Sequence, residues 1–313
     1  MTTDSWLQKR PLGKTGLEVT PICFGATALG NMPATYGYSV GLDQALDVIR
    51  AIFTGIGPVN FLDTAAEYGN GESERRIGLV IRELGGLPPG FVLSTKADRD
   101  SETQDFSAAQ MRRSVESSLE KLGLEQIQLL YLHDPEYGNL DEIMGKGGAV
   151  EELLRCKEEG LIAHLGIAGG PIDVMTRFVE MGVFEAAISH NRYTLLNTEA
   201  DPFWDTCAKY GVACVNAAPY GSGILVKGPS NSPLYRYQPA PPELLKRAFQ
   251  VEEVCKKYGV TMAAAALQFS LRDPRLTATI VGVAEKDHLE ETLKLAQEQI
   301  PPELWQELGV ETR

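Results

Sequence analysis

Eight short apolar runs, alternating with longer amphipathic stretches, restrict this chain to few folds. The runs are VTPICF (19–24), VNFLD (59–63), FVLST (91–95), IQLLYLH (127–133), AHLGIA (163–168), AAISH (186–190), VACVN (212–216) and ATIVG (278–282). Each is brief and mostly unalternating, as strands covered on both faces are. Helical spacing of apolar residues marks 42–56, 72–84, 107–123, 150–160, 171–182, 201–211 and 286–299. Ser107 is placed as an N-cap and Gly123 as a stop, while Pro171 and Pro202 stand near helix starts, where a missing N–H costs little.

Strand then helix, eight times over, predicts an α/β fold of the (β/α)8 TIM-barrel type. With no linker to divide it, 1–313 reads as one barrel domain. The chain exceeds the roughly 250 residues typical of such barrels. Three additions account for the excess: an N-terminal β-hairpin in RPLGKTGLEVT around Gly13–Gly16, a Pro- and Gly-rich loop at 218–242, and an extra helix at 261–272. The last two place extra loops and helices in the C-terminal half. A doubly wound open sheet is the alternative, but it wants a G-x-G-x-x-G turn after its first strand, and CFGATALGNM has none.

Composition narrows the function. A net charge of −13 argues against nucleic acid or an anionic membrane as partner. The start of the chain has no apolar core of a secretory signal, and no apolar stretch approaches membrane-helix length. Five scattered cysteines without a C-x-x-C pair fit a reduced, cytoplasmic chain. Cys23, Cys214 and Cys255 lie in apolar contexts and read as core.

Chemistry in a βα barrel sits at the C-terminal ends of the strands. The second run ends at Asp63, the third leads to Lys96, the fourth ends at His133, and Tyr68 follows in the loop FLDTAAEYGNGESERRIG. A phenol with a pKa near 10 is a poor acid or base at neutral pH. An adjacent ammonium would lower that pKa, and Asp63 would hold the ammonium in place. His133 would bond the substrate oxygen or relay a proton. Such a cluster suits carbonyl reduction or alcohol oxidation.

The chain resembles the aldo-keto reductase superfamily. RPLGKTGLEVTPICFG, NFLDTAAEYGNGESERRIG, LSTKAD, YLHDPE, GIAGG and TIVGVAEKDHLEETL carry the resemblance over nearly the whole length. It implies Asp63, Tyr68, Lys96 and His133 as a catalytic tetrad, with Tyr68 as general acid/base and a nicotinamide cofactor bound without a Rossmann fold. SHNRYTLLNTEADP and AAPYGSGIL are similar to the branch that oxidises free sugars to lactones, the D-threo-aldose, L-fucose and L-galactose 1-dehydrogenases.

The resemblance also implies the cofactor contacts. Gly25, Ala26, Asp63 and His190 would face the nicotinamide half. Tyr220, Gly221, Ser222 and Gly223 would close over the pyrophosphate. Gly282, Val283, Glu285, Lys286 and Glu291 would hold the adenosine end, with Gly282 and Val283 offering N–H groups. NADP-preferring relatives usually carry an arginine after that Gly-x pair, where this chain has Ala284, and Glu285 would repel a 2′-phosphate. NAD is therefore expected, with NADP left possible because Lys286 could reach a phosphate. Family members often have Ser-Asn where this chain has Ala168 and Gly169, Gln at His190, and an aromatic at Ala217. Tyr36, Ala66, Tyr68, His133, Tyr137 and Trp204 are placed around the substrate, which is a small molecule, and the short tail after the last helical pattern predicts an open site.

Blander readings apply elsewhere. GKT at 13–15 lacks the glycine a P-loop needs at position 8, where Gln8 stands. The four histidines show no metal-binding spacing, so no metal is expected. His164 reads as structural, Glu67 and Arg75 as loop and helix residues. An NADPH carbonyl reductase and a cofactor-sensing subunit on the same scaffold are the competing functions, and a homo-oligomer stays possible.

Overall fold

A computed structural model describes residues 6–310; residues 1–5 and 311–313 of the expected domain lie outside the described residues. Strands β1 (Arg10–Pro11) and β2 (Glu18–Val19) pair antiparallel. Their turn is closed by the Leu12 N–H on the Leu17 carbonyl (2.8 Å) and the Thr15 hydroxyl on the Leu12 carbonyl (2.7 Å). Leu12 and Val19 are fully buried against the barrel interior, so this predicted hairpin acts as a plug.

The strands that follow are β3 (Ile22–Gly25), β4 (Phe61–Asp63), β5 (Val92–Ala97), β6 (Ile127–His133), β7 (Ile162–Gly169), β8 (Ala186–His190), β9 (Ala213–Ala217), β10 (Leu234–Tyr235), β11 (Gln238–Pro239) and β12 (Leu276–Gly282). All but the small β10–β11 hairpin join one parallel barrel, closed in the order β12-β3-β4-β5-β6-β7-β8-β9. The first apolar run divides: Val19 joins the hairpin and β3 begins after Pro21, which has no N–H for a ladder.

The helices are α1 (Pro33–Tyr36), α2 (Leu42–Thr54), α3 (Glu72–Leu84), α4 (Ala108–Leu122), α5 (Leu140–Met144), α6 (Ala149–Glu158), α7 (Ile172–Glu180), α8 (Asp201–Tyr210), α9 (Ile224–Lys227), α10 (Pro242–Tyr258), α11 (Met262–Leu271), α12 (Asp287–Gln297) and α13 (Pro302–Glu307). Ser107 caps α4 as expected, its hydroxyl accepting from the Gln110 N–H, and the Gly123 N–H closes the other end on the Leu119 carbonyl (2.9 Å). The 218–242 segment holds α9 and the β10–β11 hairpin, which its Pro and Gly content conceals.

Packing follows the layers. Inside the barrel, Cys23, Phe61, Val92, Leu129, Tyr131 and Val215 fill one cluster with the plug residues. Between barrel and helices, apolar faces such as Ile49, Ile77, Val115, Leu153 and Phe178 form the outer core. Every residue of α11 from Ala263 to Leu271 is buried, which explains its lack of a polar face. All five cysteines are buried and unpaired as disulfides. Among the described residues, no helix is long and apolar enough to cross a membrane.

Candidate active site

Side chains alternate along a strand, so every second residue points into the barrel. The apolar interior residues lie two or four places before polar ones. Phe61 leads to Asp63 on β4, Val92 to Ser94 and Lys96 on β5, and Leu129 to Tyr131 and His133 on β6. Register places Asp63 beside Ser94, and Lys96 beside Tyr131. Three adjacent strands thus raise Asp63, Lys96 and His133 to the same rim.

Lys96 is the hub. Its Nζ donates to Asp63 Oδ2 (2.5 Å), to the Thr64 carbonyl (2.6 Å) and to Tyr68 Oη (3.1 Å), and lies 4.6 Å from the Tyr68 ring centroid. The Ser94 hydroxyl bonds the other Asp63 oxygen (2.7 Å). Burial alone would discharge Lys96, but the Asp63 carboxylate and the Tyr68 oxygen outweigh it and raise its pKa, so it stays an ammonium. Tyr68 departs from the expected direction. Burial raises its pKa more than Lys96 lowers it, and Asp63 cancels part of the ammonium's field. Tyr68 is therefore a neutral phenol at neutral pH.

His133 stacks edge-on to Tyr68 with ring centroids 5.9 Å apart. Its Nδ1 bonds Asp98 Oδ1 at 2.5 Å, and its Nε2 lies 3.7 Å from Asp134 Oδ1. Burial works to discharge this ring too, but Asp98 and Asp134 prevail and raise its pKa to about 9. Asp98 is itself held: its second oxygen accepts from the Glu67 N–H (2.8 Å) and its own N–H donates to the Ser114 hydroxyl (3.0 Å). Asp98 went unassigned at the sequence level, although it stands two places past Lys96 and shares its inward parity.

The rim beyond is charged. Asp134, in the left-handed region, sits 3.5 Å from His190 Nε2. Glu136 accepts from the Gly170 N–H (2.9 Å), and its second oxygen is buried without a hydrogen-bond partner among the described residues. Arg99 stacks on Tyr137, 4.4 Å above its ring, and lies 3.6 Å from Glu67. Ligand atoms of Glu67, Asp98 and His133 fall within 4.8 Å of one another, as do those of Asp134, Glu136 and His190. The expectation of no metal rested on sequence spacing, which cannot reveal groupings drawn from separate strand ends. Within them, carboxylate–imidazole pairs already engage the histidines.

Of the predicted substrate residues, Tyr36 comes close to Tyr68, with Thr27 near both phenols. Ala66 lies at the mouth, its N–H on the Lys96 carbonyl (3.2 Å), and Tyr137 stands exposed at the rim. Trp204 does not belong there: it is fully buried in the outer core against Phe203 and Tyr193, because α8 turns it away from the mouth. His164 pairs with Glu185 (2.9 Å) in the wall.

The predicted cofactor residues follow the strand ends from β8 through β9 and β12 to β3 and β4, with one correction. Val283 does not offer a free N–H, since it donates to the Gly25 carbonyl (3.1 Å) and extends the β12–β3 ladder. Gly25 and Ala26 are buried and committed: the Ala26 N–H goes to the Asp63 carbonyl (2.9 Å), and its carbonyl accepts from Ser73 (3.0 Å). Gly282, Glu285, Lys286 and Glu291 are exposed, with Glu285 acting electrostatically on Tyr38. Gly221–Gly223 form a tight turn in which Ser222 accepts from the Tyr237 N–H (3.0 Å). Among the described residues, the Tyr220 hydroxyl and Asn191 Oδ1 are buried without hydrogen-bond partners, and Tyr220 feels the charge of Glu291.

The family model described as Aldo/keto reductase family matches residues 21–309. The chain is 31% identical over 296 residues to L-galactose dehydrogenase of Arabidopsis thaliana, covering 93% of this chain and 89% of that protein. It is 30% identical to D-threo-aldose 1-dehydrogenase of a Pseudomonas species, covering 94% of each. Its fold matches the holo form of an aldo-keto reductase from Bacillus halodurans with a TM-score of 0.76 at 21% identity, over 96% of this chain and 95% of the other.

Proposed function

The chain belongs to the aldo/keto reductase family of oxidoreductases, and from that premise we propose that it oxidises the anomeric hydroxyl of a free aldose to the lactone with NAD. One observation carries the reading: the Tyr68 hydroxyl, 3.1 Å from Lys96, shares its end of the barrel with the Glu67–Arg99 and Asp134–His190 pairs. Planar charged groups of this kind have donors and acceptors to spare for the adjacent hydroxyls of a sugar, which an apolar carbonyl would leave unused. The similarity to two sugar dehydrogenases supports it.

In this reading Tyr68, once it has shed its own proton, takes the proton from the C1 hydroxyl, Lys96 and Asp63 set the charge around that step, and His133 bonds the reacting oxygen. A bound nicotinamide supplies the two-electron acceptor. The residues present fit a dinucleotide, since the Tyr220 hydroxyl and Asn191 Oδ1 are buried polar atoms awaiting partners along its path. Asp63, His190 and Asn191 would border the nicotinamide, and Tyr220 with Gly221–Gly223 the pyrophosphate. Gly282, Glu285, Lys286 and Glu291 would border the adenosine, with only packing contacts from Gly25, Ala26 and Val283. Ala284 supplies no cation for a 2′-phosphate and Glu285 opposes one, which favours NAD. We place the whole of 1–313 as one barrel domain acting in the cytoplasm on small molecules.

The raised pKa of Tyr68 favours a second reading, reduction of aldehydes or ketones, because a neutral phenol is a ready proton donor. Initial rates with L-galactose, L-fucose and related aldoses plus NAD, set against aldehydes plus NADPH, decide between them. Faster turnover of aldoses with NAD supports the first reading, and turnover confined to carbonyls with NADPH removes it.

A further inference from the structure

We propose that Asp98 is a positioning residue that holds His133 as a doubly protonated imidazolium, with Nε2–H presented to the reacting oxygen. The last clause rests on the function proposed above; the charge state does not. A neutral imidazole has one N–H and one lone pair. Here both ring nitrogens face carboxylate oxygens, Nδ1 at 2.5 Å from Asp98 and Nε2 at 3.7 Å from Asp134. A neutral ring that donates Nδ1–H to Asp98 would turn its Nε2 lone pair toward the Asp134 charge, whereas an imidazolium turns an N–H toward each carboxylate. Asp134 Oδ1 lies 3.7 Å from His133 Nε2 and 3.5 Å from His190 Nε2, so it supplies charge to the His133 ring without making a full bond to it.

The surroundings are consistent with this. Lys96 opposes a positive ring from β5, while Asp98, Asp134 and Glu67 favour it from three different segments, with Tyr68 edge-on and His190 beyond Asp134. The carboxylates win, and the ring holds its proton up to about pH 9. A cationic donor polarises the oxygen on which charge changes more strongly than a neutral one does. Asp98 also accepts from the Glu67 N–H, so one carboxylate ties His133 to the segment that carries Tyr68.

An amide cannot replace it. Asp98 accepts two N–H bonds, from His133 and from Glu67, and asparagine has only one acceptor oxygen. The test is 15N NMR of the histidine rings in the wild-type protein, with the His133 signals assigned by their loss in His133→Asn. Both ring nitrogens should appear protonated at neutral pH and remain so until about pH 9. One unprotonated ring nitrogen at neutral pH would overturn the proposal. In Asp98→Asn, the high-pH loss of kcat/KM should move down toward the ordinary histidine value of about 6.5. An unmoved limb in the folded variant would also overturn it, and should the variant not fold, the wild-type spectrum decides alone. If the ring is doubly protonated but no aldose is turned over, the substrate reading fails and the charge assignment stands.

Discussion

Tyr68 reaches across 3.1 Å to an ammonium and still holds its proton more tightly than a free phenol, because burial outweighs Lys96. In oxidation the phenol must shed that proton before it can act as a base, so the initial rate of aldose oxidation should rise with pH from neutral. The rise should turn over near pH 9, where His133 discharges. Tyr68→Phe should lower kcat by about 10²–10⁴ while leaving dinucleotide affinity, measured by fluorescence quenching, unchanged. Asp63 and Lys96 are nearly fully buried and paired at 2.5 Å. Asp63→Asn strands an ammonium, so chemical denaturation should show a loss of roughly 3–5 kcal/mol. Pairing it with Lys96→Met should recover much of the stability and none of the activity. These four residues were legible in the sequence because each stands at or just after a strand end. The direction of Tyr68's shift was not, since burial depends on neighbours from other segments such as Tyr36 and Thr27.

At the scale of elements, the Tyr68 loop is fixed by close backbone packing. A Cβ on Gly30 would stand 2.7 Å from the Tyr68 carbonyl oxygen, and one on Gly69, at φ +63°, 2.0 Å from the Gly30 carbonyl oxygen. Arg76 on α3 reinforces the contact by donating to the carbonyls of Leu29 (2.7 Å) and Val40 (3.0 Å). Gly69→Ala must push the two loops apart, so it should cost about 1–3 kcal/mol in thermal unfolding and lower kcat more than it raises KM. The strand and helix cores were readable from spacing: IQLLYLH is β6 to the residue, and ESERRIGLVIREL is α3. The insertions were not. In 218–242 the chain makes a helix and a hairpin of two-residue strands, too short for any period to show. Asp98 escaped for a related reason: its meaning lies in His133, which is 35 residues away in sequence and in contact only across the β5–β6 boundary.

For the molecule as a whole, the closed barrel brings the carboxylates of β4 and the β5 and β6 ends to one mouth, while the ends of β8, β9 and β12 frame a second arc, the path proposed above for a dinucleotide. A net charge of −13 adds a general penalty for the extra phosphate of NADP, on top of Glu285. The double substitution Ala284→Arg with Glu285→Ser should therefore tighten NADP binding by at least tenfold and weaken NAD, as read by fluorescence titration. An unchanged ratio would place the adenosine elsewhere. The most direct test of the account follows the sugar itself. L-galactose labelled with 13C at C1 is incubated with the protein and NAD, and C1 is observed by NMR. The anomeric signals should give way to a lactone carbonyl, with one NAD reduced per lactone, and Tyr68→Phe should halt the change. A C1 signal that stays anomeric with NAD but becomes an alditol carbon with NADPH would contradict it.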